Sequence, residues 1–117
     1  MVTRKKASVP DAGDVVWLDH NPQAGHEQAG HRAALVLSPK AYNSASGLML
    51  CCSVTTQIMG YPFEVALTGS KGLKSVMLSD QLRSMDWEVR QATISGHAAE
   101  AVVAEVIAKL KVLLPLQ

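Results

Sequence analysis

The fold is decided by a charged loop and the apolar run that follows it, GHEQAGHR over residues 25–32 and AALVL over residues 33–37. Ser38 and Pro39 end the run, and a short apolar stretch with such a boundary is typical of a buried strand. The loop carries two imidazoles, a carboxylate, an amide and a guanidinium. Acid, base and anion-binding groups beside a core strand indicate chemistry on a phosphate.

The strand at this run is predicted over residues 32–37, and further short strands are predicted over residues 15–18, 48–54, 63–67 and 75–78. Residues 43–47 (NSASG) are predicted to form a turn, and residues 87 and 89–94 to close the sheet. Apolar residues then recur at helical spacing from Val102 to Leu114, and Pro115 ends that pattern. We therefore expect a mainly β (α+β) fold, a small antiparallel barrel with a C-terminal helix packed on it.

Length and composition limit the protein class. A chain of 117 residues, 48% of them hydrophobic, supports one domain over residues 1–117, with the first ten residues expected to be flexible. The formal net charge of +1 leaves nucleic-acid contacts to local clusters of cations. The apolar runs are much shorter than the roughly 20 residues that span a bilayer. No apolar signal-peptide core follows the basic first residues, so a cytoplasmic location is expected.

Cys51 and Cys52 are neighbours within an apolar run. Successive side chains of a strand point to opposite faces, so these thiols are not expected to bond to each other. The pair also lacks the C-x-x-C spacing of a zinc site. We expect two buried, reduced thiols.

Several motifs, in order, resemble the MazF/PemK (Kid) toxins: GHEQAGHR (25–32), LVLSP (35–39), TTQ (55–57), GYPFEV (60–65) and DQ (80–81). The resemblance extends from Val15 to Leu114 and is strongest to the MazF branch. It implies an SH3-like barrel, usually dimeric, that acts as a ribosome-independent endoribonuclease on short specific sequences of single-stranded RNA. It also implies a cognate MazE-like antitoxin whose acidic tail blocks the active groove.

The family resemblance assigns the catalytic groups. RNA can be cleaved without a metal by attack of its own 2′-hydroxyl on the adjacent phosphorus, and no cofactor is implied. By position, Glu27 matches the general base, and Arg32 matches the cation that stabilises charge on the phosphorane. Thr55 supplies a hydroxyl for a phosphate oxygen.

His26 and Asp80 match an acid and a base of the PemK branch, and their part in proton transfer stays open. Leu78, however, stands where that branch has a catalytic arginine. This departure favours the arrangement of Glu27, Arg32 and Thr55.

Predicted RNA contacts are Gln28, Thr56, Gln57, Asp80 and Arg83. Met59 occupies a position that is often basic in relatives, and most of the remaining cations, including Arg90, are expected to be ordinary surface charges. Because aromatic residues make up only 4% of the chain, base selection is expected to depend on backbone and polar groups.

Structural interpretations compete with these assignments. Glu27 and Arg32 could pair to fix the loop, and His31 is expected to satisfy loop backbone. The i,i+5 spacing of His26 and His31, with no cysteine nearby, argues against a metal site.

Two other functions are considered. A non-enzymatic gyrase-binding toxin of the CcdB type would need a C-terminal tryptophan, whereas this chain ends in LPLQ. A degenerate module that binds RNA or an antitoxin without cleavage is kept open by Leu78 and Met59.

Overall fold

In the computed structural model, which describes residues 8–19, 31–68 and 74–115, six antiparallel strands form one curled, half-barrel sheet. The strands are β1 (Asp14–Asp19), β2 (His31–Val36), β3 (Leu48–Thr55), β4 (Glu64–Thr68), β5 (Lys74–Asp86) and β6 (Thr93–His97). They lie in the order β4-β5-β3-β2-β1-β6, so β4 and β6 are the edges. The helices are α1 (Lys40–Ser46) and α2 (Glu100–Leu113). The predicted fold class, mainly β with a C-terminal helix, is confirmed.

Both faces of the sheet are apolar, as the two cysteines illustrate. Cys51 packs in a first cluster with Val36 and Met49, whereas Cys52 packs in a second cluster with Leu35. Both thiols are free and buried, which confirms the prediction for this pair. Because neighbouring residues of β3 are buried on opposite sides, each face of the sheet must be covered by other parts of the chain.

Helix α2 covers the second face. Val106 is fully buried there, and Val102, Val103 and Leu110 pack beside it. The ammonium of Lys109 donates a 2.6 Å hydrogen bond to the carbonyl of Pro62, which ties the helix to the loop before β4. In the described part of the chain, no helix has the length and apolar character needed to cross a membrane.

The predicted turn at residues 43–47 is wrong, because residues 40–46 form α1. Gly47 ends this helix at φ +75°, a conformation that favours glycine. Asn43 is fully buried: its side-chain amide donates to the backbone carbonyls of Pro10 (2.8 Å) and Ser38 (3.0 Å), and its backbone carbonyl accepts the Trp87 indole N–H (2.8 Å). These distant partners outweigh the local turn preference of the segment.

The first face is closed partly by the N-terminal segment. Pro10, in the stretch expected to be flexible, is fully buried and accepts the Asn43 amide. Residues 1–7 of that stretch lie outside the described residues.

The strand predicted over residues 89–94 is wrong for residues 89–92. The chain turns at residues 87–91, where the Asp86 carboxylate accepts the backbone N–H groups of Glu88 (3.0 Å) and Val89 (2.9 Å). Gln91 takes the left-handed conformation, φ +51°. The last strand, β6, therefore begins only at Thr93.

β5 is longer than predicted and bends sharply in its middle. Cys52 pairs with Leu82 and Val54 with Met77, so residues 78–81 lie opposite Ser53 alone. At the bend, the backbone N–H and the hydroxyl of Ser79 both donate to the carbonyl of Phe63, at 3.0 Å and 2.5 Å. The extra residues let β5 follow the curl of the sheet.

Candidate functional site

A groove of about 900 Å³ continues the first face of the sheet beyond its apolar cluster. Along β2 the lining changes from Ala34 to Arg32, and along β3 it changes from Cys51 to Ser53 and Thr55. Side chains two residues apart on a strand share a face. The groove-facing side of β2 and β3 therefore carries buried apolar residues at one end and polar residues at the other. The same strands that form the core thus position the site.

Three guanidinium groups line this groove, from Arg32 at the start of β2, Arg83 in β5 and Arg90 in the turn after β5. Burial raises the pKa of the Cys51 thiol to about 11, and the positive charges of Arg83 and Arg90 act in the opposite direction. The backbone N–H of Asp19 donates to the carbonyl of Arg90 (2.9 Å), which fixes the turn against the end of β1. Clustered guanidinium groups favour a ligand with several phosphates.

The loop between β3 and β4 forms one wall of the groove. Its first turn is closed by the backbone N–H of Gln57, which donates to the Thr55 hydroxyl oxygen at 3.1 Å. Because that oxygen acts as the acceptor, the Thr55 hydroxyl hydrogen can still be donated to a ligand. Farther along, the Glu64 carboxylate accepts the backbone N–H groups of Met59 and Gly60, each at 2.8 Å. Gly60 has φ +83°, which a side chain would strain.

Tyr61 and Asp80 connect this wall to the bend in β5. The Tyr61 hydroxyl donates to the Asp80 carboxylate at 2.8 Å, and this bond raises the pKa of Tyr61. Asp80 thus holds a residue that lines the groove, although it is not itself among the lining residues.

The structure brings four of the nine predicted site residues into one groove: Arg32, Thr55, Gln57 and Arg83. Thr56 is exposed on the loop after β3, and Asp80 is exposed at the bend in β5, where it accepts the Tyr61 hydroxyl. His26, Glu27 and Gln28 lie outside the described residues. Within residues 8–19, 31–68 and 74–115, no three His, Cys, Asp or Glu side chains group in a way that could hold a metal ion.

Sequence reasoning missed four polar residues of the lining: Asp19, Ser53, Gln81 and Arg90. Ser53 and Gln81 follow from two-residue alternation with Cys51 and Arg83, a signal that the sequence carries. Arg90 was expected to be ordinary surface charge. Its place in the groove depends on the turn at residues 87–91, for which the local sequence offers no comparable signal.

Comparisons with known proteins agree with one another. The model of the family described as PemK-like, MazF-like toxin of type II toxin–antitoxin system matches residues 11–114. Endoribonuclease toxin MazF of Escherichia coli K12 is 48% identical over 106 residues, covering 91% of this chain and 95% of the relative.

Two crystal structures from Deinococcus radiodurans share the fold. The match to a MazE–MazF structure has a TM-score of 0.86 and 53% identity, and it covers 94% of this chain and 99% of the matched one. The match to a MazF structure has a TM-score of 0.81 and 53% identity, with 93% and 99% covered.

Proposed function

This chain belongs to the PemK-like, MazF-like toxin family of type II toxin–antitoxin systems, and we propose that it is an endoribonuclease toxin that cleaves single-stranded RNA at short specific sequences. We also propose that the cleavage requires neither the ribosome nor a metal ion. The observation that supports it best is the groove in which Arg32 and Thr55 lie with two further guanidinium groups.

The proposed reaction is an internal transesterification. The 2′-oxygen forms a bond to the adjacent phosphorus, the bond from phosphorus to the 5′-oxygen breaks, and the products carry a 2′,3′-cyclic phosphate and a 5′-hydroxyl. A base takes the 2′-hydroxyl proton, and an acid supplies a proton to the leaving 5′-oxygen. Arg32 stabilises the extra negative charge on the phosphorane through its planar, bidentate guanidinium, and the Thr55 hydroxyl donates to a phosphate oxygen.

Glu27 is proposed as the general base, and His26 as the acid or a phosphate contact. The support for both is the family match of residues 25–32, because these two side chains lie outside the described residues. Arg32, the last residue of that motif, stands at the start of β2 and lines the groove. Glu27 stands five positions before Arg32 in the sequence of the same motif.

The RNA is proposed to follow the groove across β2, β3 and β5. Arg83 and Gln57 line this path, and Arg90 adds a third cation beside it. Gln28 and Thr56 are proposed as further RNA contacts. Asp80, with its carboxylate held by Tyr61, is proposed to act on the RNA through that tyrosine.

The proposed partner is a cognate MazE-like antitoxin, with an acidic segment occupying the cationic groove. A solved MazE–MazF structure of a similar toxin supports this partner. A homodimer is proposed as well, since Ile107, Leu113 and Leu114 leave apolar surface exposed on and after α2. RNA as substrate and an antitoxin as partner agree with a cytoplasmic location.

Incubation of the purified protein with long single-stranded RNA in EDTA tests the activity. We expect discrete cuts with 5′-hydroxyl ends, and their loss in Arg32→Ala. Lys40→Ala is the matched control, because it removes an exposed cation at the start of α1 that does not line the groove.

Each alternative outcome has a distinct meaning. Intact RNA across varied sequences would exclude the nuclease and, with retained RNA binding, would favour a non-cleaving module. Cleavage only when a divalent metal is restored would contradict the proposed mechanism.

A further inference from the structure

The lining of the groove becomes apolar and aromatic at the wall formed by the loop between β3 and β4 and the adjacent part of β5. Met59, Tyr61 and Leu78 line the groove there, and Met59 is 70% exposed. We propose that these three residues form a binding site for one nucleobase of the RNA, with Tyr61 as the stacking platform. This inference rests on the proposed RNA substrate and adds a position at which the groove holds a base.

Tyr61 is held in place before any ligand arrives. Its hydroxyl donates to Asp80 at 2.8 Å, and its side chain is only partly exposed. An aromatic ring that is already fixed loses little conformational freedom when a base stacks on it. Since every base has a π-face, a single ring can contribute substantially to single-strand binding.

Glu64 links the other two members of the site. Its carboxylate accepts the backbone N–H groups of Met59 and Gly60, and its backbone pairs with Leu78 in the β4–β5 register. One residue therefore fixes the loop that carries Met59 next to the strand that carries Leu78. The apolar side chains are supported by hydrogen-bonded backbone on both sides.

Charge favours a base over a phosphate at this wall. The carboxylates of Asp80 and Glu64 are hydrogen-bonded to residues of this wall, and both would repel an anion there. The guanidinium groups of Arg32, Arg83 and Arg90 line the same groove and can hold the neighbouring phosphates. A nucleotide bound with its phosphate toward the cations can place its base against Tyr61.

A double-mutant cycle between protein and RNA tests the site. The substrate is an oligonucleotide spanning a mapped cleavage sequence, with one abasic nucleotide placed in turn at each position, and kcat/KM is measured for wild type and Tyr61→Ala. We expect about a 10-fold loss from Tyr61→Ala, within the range of one base–aromatic stack. One abasic position should cause a similar loss in wild type and almost none in Tyr61→Ala.

Two variants control for structure. Tyr61→Phe keeps the ring and should stay within a few-fold of wild type, whereas Tyr42→Ala removes an exposed tyrosine of α1 and should change nothing. The same cycle is run by fluorescence anisotropy with an uncleavable 2′-O-methyl oligonucleotide chosen by its binding to the wild type, so it does not depend on cleavage.

Suppose that the RNA is cleaved, and that an abasic nucleotide lowers kcat/KM equally in wild type and Tyr61→Ala at every position. That result would overturn the inference and leave the proposed function intact. Absence of cleavage, together with a coupled position in the binding cycle, would instead overturn the nuclease and support the base site.

Discussion

Arg83 lies directly opposite Cys51 in the pairing of β5 with β3. Cys51 is fully buried in the first apolar cluster, and Arg83 lines the groove. The boundary between core and site therefore falls within one cross-strand pair. Changes at this boundary are expected to alter stability and RNA binding separately, depending on which partner is replaced.

The buried thiols predict how stability depends on alkaline pH. Burial raises the pKa of Cys51 to about 11 and of Cys52 to about 12, above the ordinary value of 9.0 that applies to the unfolded chain. The protonated thiols stabilise the folded state fully below pH 9.0, and this contribution is lost as pH rises toward the folded values. Urea unfolding should show wild type losing more stability than Cys51→Ala between pH 8 and pH 10.5. An equal loss in both proteins would contradict the prediction.

Arg32 is expected to act mainly on the chemical step. Its loss should lower kcat by about 10²–10³-fold, the usual effect of removing one transition-state donor. Arg32→Lys should recover only part of this activity, because an ammonium keeps the charge and loses the bidentate geometry. Single-turnover cleavage with saturating enzyme measures the step directly. Full activity in Arg32→Lys would show that charge alone is sufficient.

Arg83 and Arg90 are expected to act mainly on RNA affinity. Each contact with a phosphate contributes about 0.7 to the slope of log affinity against log salt concentration for a single strand. Arg83→Ala and Arg90→Ala should each reduce that slope by about one contact, with little effect on the rate of single-turnover cleavage at saturation. Lys40→Ala serves again as the control. An unchanged slope in both variants would remove these residues from the RNA path.

Glu64 is predicted to hold the loop wall. Glu64→Ala should release the backbone N–H groups of Met59 and Gly60, so both amides should exchange with solvent faster. A rise in KM should accompany that change, while Glu64→Gln, which keeps one acceptor oxygen, should lie between wild type and Glu64→Ala. Amide hydrogen exchange followed by NMR gives the readout. Unchanged exchange at both amides in Glu64→Ala would contradict the proposed support.

Asn43 is predicted to stabilise the first face of the sheet. Asn43→Ala leaves the carbonyl of Pro10 without its amide donor and the buried hydroxyl of Ser38 without its 2.5 Å acceptor. The free energy of unfolding should fall by about 2–4 kcal/mol. Ser44→Ala, at an exposed position of the same helix, is the control. Equal unfolding midpoints for the two variants in urea would show that this network contributes little.

The local sequence pattern was sufficient to predict a strand or helix where one face of that element is buried. Alternation and short apolar runs predicted the strands around Leu35 and Cys52, and helical spacing predicted α2. The pattern failed at Asn43, since a turn-forming residue became the buried centre of hydrogen bonds to Pro10, Ser38 and Trp87. Distant partners of this kind cannot be seen from local composition.

The site followed the same rule. The family resemblance pointed to Arg32 and Thr55, and both line the groove. Asp80 was assigned to RNA from its position, whereas its hydrogen bond with Tyr61 depends on the bend in β5. Arg90 lines the groove because of the turn at residues 87–91, which the local sequence did not predict.

The bend in β5 also reverses which residues of that strand face the groove. Before it, the odd-numbered Met77 packs in the second cluster and the even-numbered Leu78 lines the groove; after it, the odd-numbered Arg83 lines the groove. Deleting one residue from 78–81 would therefore turn Arg83 toward the face covered by α2, while deleting two would leave it in place. The number of residues in this short segment, odd or even, decides whether the cation on β5 faces the RNA path or the core.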